Sequence, residues 1–418
     1  MRLLRLTLTD FRNYAALTWH PRARISALSG PNGSGKTNLL EAVSLLVPGR
    51  GLRGARNADF PRHGSSGGWA VAGRFATADG EVDIGTGTPP IGTSPAGTPP
   101  TGTPPTDTPP AGTPGAGPGS PSGTATAARR VFRLDGATPR SQGEIAAHAA
   151  AVWLTPQMDR LFLEGLSGRR RFLDRLVWAL EPGHAREVAA HDAAMAQRNR
   201  LLAEGRQDEG WLAGLEDAMA RHAVAATAAR IALVAKMNAV PAFTGFPQAR
   251  MTLVCPIAER MAGAPALAVE DWLRQSLAAG RPRDAAAGSA AVGAHRADMG
   301  LADARTGVAA ALASTGEQKA LLIGVILRHA ALIADARGFA PMLLLDEPAV
   351  HLDPDRRAAL FAALTSLPAQ TLITGTDMET FLPLAGMAEG LIVRGGELLA
   401  DARFPLPEPA DTPVRGTP

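Results

Sequence analysis

Residues 30–37 read Gly-Pro-Asn-Gly-Ser-Gly-Lys-Thr, the spacing Gly-x-x-x-x-Gly-Lys-Thr. That spacing dictates its surroundings, because a loop of this kind works only between a strand that delivers it and a helix that begins at its end. Both are legible. Ile25–Leu28 is a short apolar run, and Leu39, Leu40, Val43, Leu46 and Val47 recur with helical period until Pro48 and Gly49 stop them. The expected fold class is therefore α/β. Within the loop, Gly30, Pro31, Asn32, Gly33, Ser34 and Gly35 let backbone N–H groups curl around phosphate oxygens, and the helix N-terminus adds its positive end. Lys36 would reach the β- and γ-phosphates and the Thr37 hydroxyl would take Mg²⁺, so ATP with Mg²⁺ is the expected ligand.

Two further constellations lie far downstream. Met342–Leu345 is apolar and runs into Asp346-Glu347-Pro348. Asp346 is placed to hold the magnesium and Glu347 to polarise an attacking water as general base. Ser314-Thr315-Gly316-Glu317-Gln318-Lys319 heads a long apolar stretch. Ser314 with Glu317 three places on is a capping box, and the same residues at a helix N-terminus also suit a second anion site aimed at a γ-phosphate. Both readings stand at this stage.

Composition limits the rest. In 418 residues, 45% hydrophobic and 19% charged is a soluble balance, and length suggests two or three packed units. The greasiest stretch, Ala320–Ala334, carries Arg328 and His329 and reads as a buried helix, so no span reads as transmembrane and no membrane partner is expected. Met1–Asp10 alternates as a strand and not as a signal peptide, and a lone Cys255 fits a reducing cytoplasm. A net charge of +3 permits DNA without pointing to it. Lysine is rare: only Lys36, Lys236 and Lys319 against thirty-nine arginines, and two of the three stand in glycine-bearing motifs.

The layout follows. Trp69–Phe75, Glu81–Ile84 and Arg130–Leu134 are strand candidates, with a Gly/Thr/Pro-rich stretch at about 85–126 expected as a disordered, solvated insertion. Residues 1–150 form the N-terminal part of an ATPase lobe, 151–290 a mostly helical second lobe and 291–405 the C-terminal part of the ATPase lobe, with a frayed tail at 406–418. In the helical lobe Trp211, Leu215, Met219, Ala223 and Ala226 make a stripe too short and too Ala-rich for a long coiled coil.

Taken together, these strings resemble the ABC-type P-loop ATPase heads of the SMC-like branch. The compact middle, where SMC proteins carry long coiled coils, is similar to the RecF family. Asp10-Phe11-Arg12-Asn13-Tyr14, Lys36-Thr37-Asn38-Leu39-Leu40-Glu41-Ala42, Arg170-Arg171-Phe172-Leu173-Asp174, Gln197-Arg198-Asn199 and Gly293-Ala294-His295-Arg296 carry the likeness. The resemblance implies a homodimer on ATP binding, with each nucleotide between one copy's phosphate loop and the other's Ser314, Gly316, Glu317 and Gln318, and Asp353 at the partner. It implies slow, DNA-dependent hydrolysis and binding to single-strand/double-strand junctions of gapped DNA. It also implies work with RecR and RecO, and indirectly RecA, in recombinational repair and the SOS response. Gln157 stands where such heads place a magnesium-linked glutamine, or simply starts a helix.

Departures and alternatives belong beside that. The family's Gly-Pro-His-Arg-Asp-Asp string here lacks its Pro and one acid (residues 293–298), and Thr374-Gly375-Thr376 stands where transporter ATPases keep a switch histidine. Arg169, Arg170 and Arg171 suit phosphate contact or a solvated helix face. Arg12 and Asn13 either approach the nucleotide or remain solvated, and His295 with Arg296 either contacts DNA or is a buried histidine near a strand end. A transporter-type ATPase subunit and a DNA scaffold without turnover are the competing functions.

Overall fold

The structure, a computed structural model, describes residues 1–65, 67–89, 130–205 and 208–405. In its first third it contains β1 (Arg2–Phe11), β2 (Tyr14–Trp19), β3 (Ile25–Ser29), α1 (Lys36–Leu45), β4 (Trp69–Thr77), β5 (Gly80–Thr88), β6 (Val131–Leu134), α2 (Gln142–His148) and β7 (Ala151–Leu154). The helical middle holds α3 (Leu166–Leu180), α4 (His184–Ala203), α5 (Glu209–Ala239), β8 (Ala249–Val254), α6 (Pro256–Met261), α7 (Ala266–Ala287) and β9 (Asp298–Asp303). The chain closes with α8 (Thr315–Arg337), β10 (Met342–Leu345), α9 (Pro354–Ser366), β11 (Thr371–Thr374), β12 (Ala388–Arg394) and β13 (Glu397–Ala400).

Both chain ends build one sheet. Its order is β13-β12-β3-β11-β10-β7, and every neighbouring pair is parallel except the β12–β13 hairpin. The central strands β3, β10 and β11 are buried along their whole length, as unbroken apolar runs in a doubly covered parallel sheet require. β7 lies just past the expected break at residue 150, yet it pairs with β10 from Met342↔Ala151 to Leu345↔Leu154. A second, antiparallel sheet has the order β2-β1-β4-β5-β6, and α1 packs against strands of both sheets.

The Gly/Thr/Pro stretch needs a corrected start. Gly85–Thr88 are the end of β5, paired to β4 from Trp69↔Thr88 and to β6 from Gly87↔Val131. Backbone hydrogen bonds on both edges order these residues despite their composition. The remainder of that expected insertion and the 406–418 tail lie outside the described residues.

A second apolar core gathers Leu201, Leu212, Met219, Ala223, Val269, Leu273 and Leu277 from α4, α5 and α7, with Cys255 at the start of α6. Leu215, Met219, Ala223 and Ala226 are buried as their spacing requires, whereas Trp211 is 47% exposed because it stands in the first turn of α5. Contrary to the expectation that nothing reads as transmembrane, α5 is long and apolar enough to cross a membrane by length and composition. Here it is the spine of this lobe, and it buries Glu216 and Arg230, each in ion pairs.

Candidate functional site

The phosphate loop leaves β3 at Ser29 and enters α1 at Lys36. Three of its glycines have left-handed backbone, with φ of +146° at Gly30, +79° at Gly33 and +114° at Gly35. Two of them are also spatially obligatory. A Cβ at Gly30 would stand 2.5 Å from Val393 O, and one at Gly35 would stand 2.4 Å from Asn13 Nδ2. No side chain caps α1 and its first turn has no acid, which leaves its leading N–H groups to an anion. Lys36 is 5% exposed, and its Nζ donates to Gly30 O at 2.6 Å and Pro31 O at 3.0 Å. Burial lowers its pKa, against the opposing fields of Glu347 and Asp346.

The β1–β2 hairpin holds this loop from behind. Tyr14, the only tyrosine in the chain, donates its hydroxyl to Gly35 O at 3.0 Å. Asn13 Nδ2 donates to Ser34 O at 3.0 Å, and Asn38 Nδ2 donates to Asn13 Oδ1 at 2.7 Å. Arg12, at φ +55°, is not a solvated charge: its Nε and one terminal nitrogen grip Glu41 of α1 at 2.8 and 3.0 Å. The Phe-Arg-Asn-Tyr string thus positions the loop backbone.

Opposite stand the acids. Parallel pairing of β10 with β11 sets Asp346 beside Thr374, since Leu345 is in register with Ile373. Asp346 Oδ1 accepts from Thr37 Oγ1 at 3.0 Å and from Thr374 Oγ1 at 2.8 Å. Thr374 Oγ1 in turn accepts the Glu347 N–H at 2.9 Å. Thr374, noted in the sequence only as standing in place of a histidine, therefore orients both acids at once. Glu347 takes a left-handed backbone, φ +49°, and its carboxylate forms no hydrogen bond among the described residues. A hydroxyl and a carboxylate oxygen 3.0 Å apart beside a glycine loop fit the oxygen donor set that Mg²⁺ prefers.

Lys319 was also only half legible. It is 2% exposed, and its Nζ donates to Glu347 O at 3.1 Å and pairs with Asp159 at 3.5 Å. One ammonium therefore joins α8, the acid loop and the short turn Pro156–Arg160. Gln157 is exposed in that turn, three residues beyond Leu154, whose carbonyl accepts the Asp346 N–H at 2.9 Å.

At the head of α8 the capping box is formed. Ser314 N–H and Oγ–H donate to Glu317 Oε2 at 2.8 and 2.7 Å, which together hold the Glu317 carboxyl below its ordinary range. Ser314, Thr315 and Glu317 are exposed, and Leu312 just before them is 83% exposed. A Cβ at Gly316 would lie 3.4 Å from His351 O, so this motif adjoins the loop after the acids. Asp353 in that loop caps α9, accepting the Arg356 N–H at 2.7 Å. Gln318, expected at the partner's nucleotide, is 5% exposed and its amide donates to Ala313 O at 2.9 Å, so in this chain it braces the turn into α8.

The arginine run is divided. Arg169 forms a bidentate pair with Asp298 at 2.7 and 3.0 Å, Arg170 donates to His295 O, and only Arg171 is exposed without a partner among the described residues. His295 is half-buried, its Nε2 2.9 Å from Ala290 O, and burial lowers its pKa to about 4.

No family model matches the chain. Curated proteins do. The chain is 44% identical over 396 residues to the DNA replication and repair protein RecF of Mesorhizobium japonicum, covering 94% of this chain and 96% of that one. It is 42% identical over 400 residues to RecF of Allorhizobium ampelinum, with 94% and 97% covered, and 41% identical over 400 residues to RecF of Rhizobium etli, with 95% and 98% covered. Two solved structures share the fold at 20% identity: the recombination mediator protein RecF with ATPrS in the RecFOR pathway, at a TM-score of 0.75, and RecF with ATP, at 0.73. Each spans 96% of this chain, and 98% and 99% of the respective structure is covered.

Proposed function

The chain belongs to the RecF family, and from that membership we propose that it is an ATP-dependent DNA-binding protein of replication and recombinational repair that acts in the cytoplasm. The observation that carries the reading is the meeting of Lys36, Thr37, Asp346 and Thr374 at one point, with Glu347 unspent beside them. Lys36 exchanges its loop carbonyls for phosphate oxygens. Thr37 and Asp346 hold Mg²⁺, which supplies neutralising charge when bound. Thr374 fixes the rotamer of Asp346 and the backbone at Glu347, and Glu347 accepts a proton from water. Gln157, exposed three residues past the strand that flanks Asp346, would be a further residue to hold the metal.

ATP acts in this reading as the joint of a homodimer. Exposed Ser314 and Glu317 and half-buried Gly316, with Asp353 and the apolar Leu312 and Val350 near them, serve the partner's nucleotide. Slow, DNA-dependent hydrolysis then resets binding to single-strand/double-strand junctions. The protein works with RecR and RecO to help place RecA on gapped DNA in the SOS response. Identity along nearly the whole chain to RecF proteins removes the ground for a transporter subunit. Sedimentation velocity of Glu347→Gln tests the joint: a dimer with ATP and Mg²⁺ and a monomer without them is expected, and a monomer in both conditions overturns the proposal.

A further inference from the structure

A cavity of about 790 Å³ opens between the two lobes, within the range of small-ligand sites. Its walls come from the segment after α1, from α2, from the start of β7, and from α3 and α4. It begins past the C-terminal end of α1, whereas the phosphate loop stands at that helix's N-terminal end.

The charge balance of this cavity is unusual. Five arginines line it: Arg50, Arg53, Arg171, Arg175 and Arg337. Of its two acids, Asp174 pairs with Arg230 and bonds His184, and Asp192, on the exposed side, bonds His191. Of the arginines, only Arg53 reaches a carboxylate among the described residues, at 3.3 Å from Glu41. Arg337 is satisfied by the carbonyls of Ala179 and Ala146. Arg175 is not. Its acceptors are a carbonyl at 3.4 Å, near the limit of a hydrogen bond, and the thioether sulfur of Met158 at 3.5 Å, a weak acceptor. It is held instead by stacking over Trp153, 4.6 Å from the ring centroid, and over Phe172 at 5.1 Å. Burial lowers its pKa to about 9. Arg175 is partly buried and has no carboxylate partner among the described residues, so an anion entering from the cavity would supply the charge it lacks.

The cavity also offers a flat apolar wall. Trp178 lies against Gly49, where a Cβ would come within 3.1 Å of the ring and where φ is +123°, so the close approach of backbone and indole requires glycine. We infer that this cavity binds a small anion bearing a planar ring, of the size of a nucleoside monophosphate, with its anionic group on Arg175 and Arg171 and its ring against Trp178. The aromatic wall selects for the ring and the unpaired guanidinium groups select for charge, so neither half of such a ligand suffices alone.

Because Arg53 also bonds Asn38 and Glu41 of α1, the test removes the phosphate-loop ammonium with Lys36→Ala. In that full-length background, calorimetry and tryptophan fluorescence follow titration with adenosine 5′-monophosphate, adenosine and inorganic phosphate. One site per chain is expected, at least tenfold tighter for the monophosphate than for either fragment. Arg175→Met should weaken it at least tenfold and Trp178→Leu should erase the preference over inorganic phosphate. Arg171→Gln, a surface change that leaves the core intact, should weaken it severalfold. Absence of binding at millimolar monophosphate overturns the inference, as does equal affinity for adenosine or unchanged affinity in Arg171→Gln and Arg175→Met.

Discussion

Thr374 illustrates how a single hydroxyl can organise two carboxylates. It donates to Asp346 and receives the Glu347 N–H, so it ties the conformation of one acid to the side chain of the other. Thr374→Val keeps shape and removes both bonds. A lost hydrogen bond to a charged group costs about 1.5–3 kcal/mol, so ATP turnover should fall roughly 10- to 100-fold while nucleotide affinity changes little. Single-turnover assays check this, and unchanged turnover would show that the acids hold their geometry without it. At this scale the phosphate-loop residues were readable because their spacing is a local rule. Thr374 and Lys319 were not, because a hydroxyl or an ammonium takes its role from whatever a distant segment sets beside it.

Among the helices, the strings that mark the family turn out to be joints. Asp174 of the Arg-Arg-Phe-Leu-Asp string resists the penalty of burial through His184 and Arg230, which hold its carboxyl below the ordinary range. Arg198 of the Gln-Arg-Asn string is fully buried and bridges α4 to α5 and α7, through Glu216 and Asp284 at 3.0 Å each and Leu277 O at 2.7 Å. Removing one partner of such a network strands the others, so Arg198→Met should lower unfolding free energy by about 3–5 kcal/mol. Urea titration with an unchanged midpoint would contradict that role. Helical spacing revealed these elements but not their mutual packing, since periodicity defines a face and not its neighbour.

Across the whole molecule, the buried His329 and the half-buried His295 link stability to pH. Burial lowers His329 to about 3 and His295 to about 4, below the unfolded value near 6.5. Between those values the unfolded chain binds protons that the folded chain refuses, so the fold is fully favoured above about pH 6.5 and loses stability as pH falls from there toward 4. Each group contributes a slope of up to about 1.4 kcal/mol per pH unit. Denaturant midpoints from pH 7 to 4.5 should decline, less steeply in His329→Asn, and a flat profile would refute the linkage. By itself the sequence determined that Ile25–Leu28 and Met342–Leu345 are strands, that a phosphate loop joins the first of them to a helix, and which family the middle lobe resembles, but not the edge strand β7. These are matters of spacing and period within a few turns of chain. Tertiary structure alone decided that Asp346 meets Thr37 and Thr374, that Gln318 turns inward, that Arg169 and Arg170 pair within the chain, and that Arg175 faces a cavity without a counterion. Those outcomes depend on register between strands hundreds of residues apart and on which charges find partners when the lobes pack, and no local pattern encodes either.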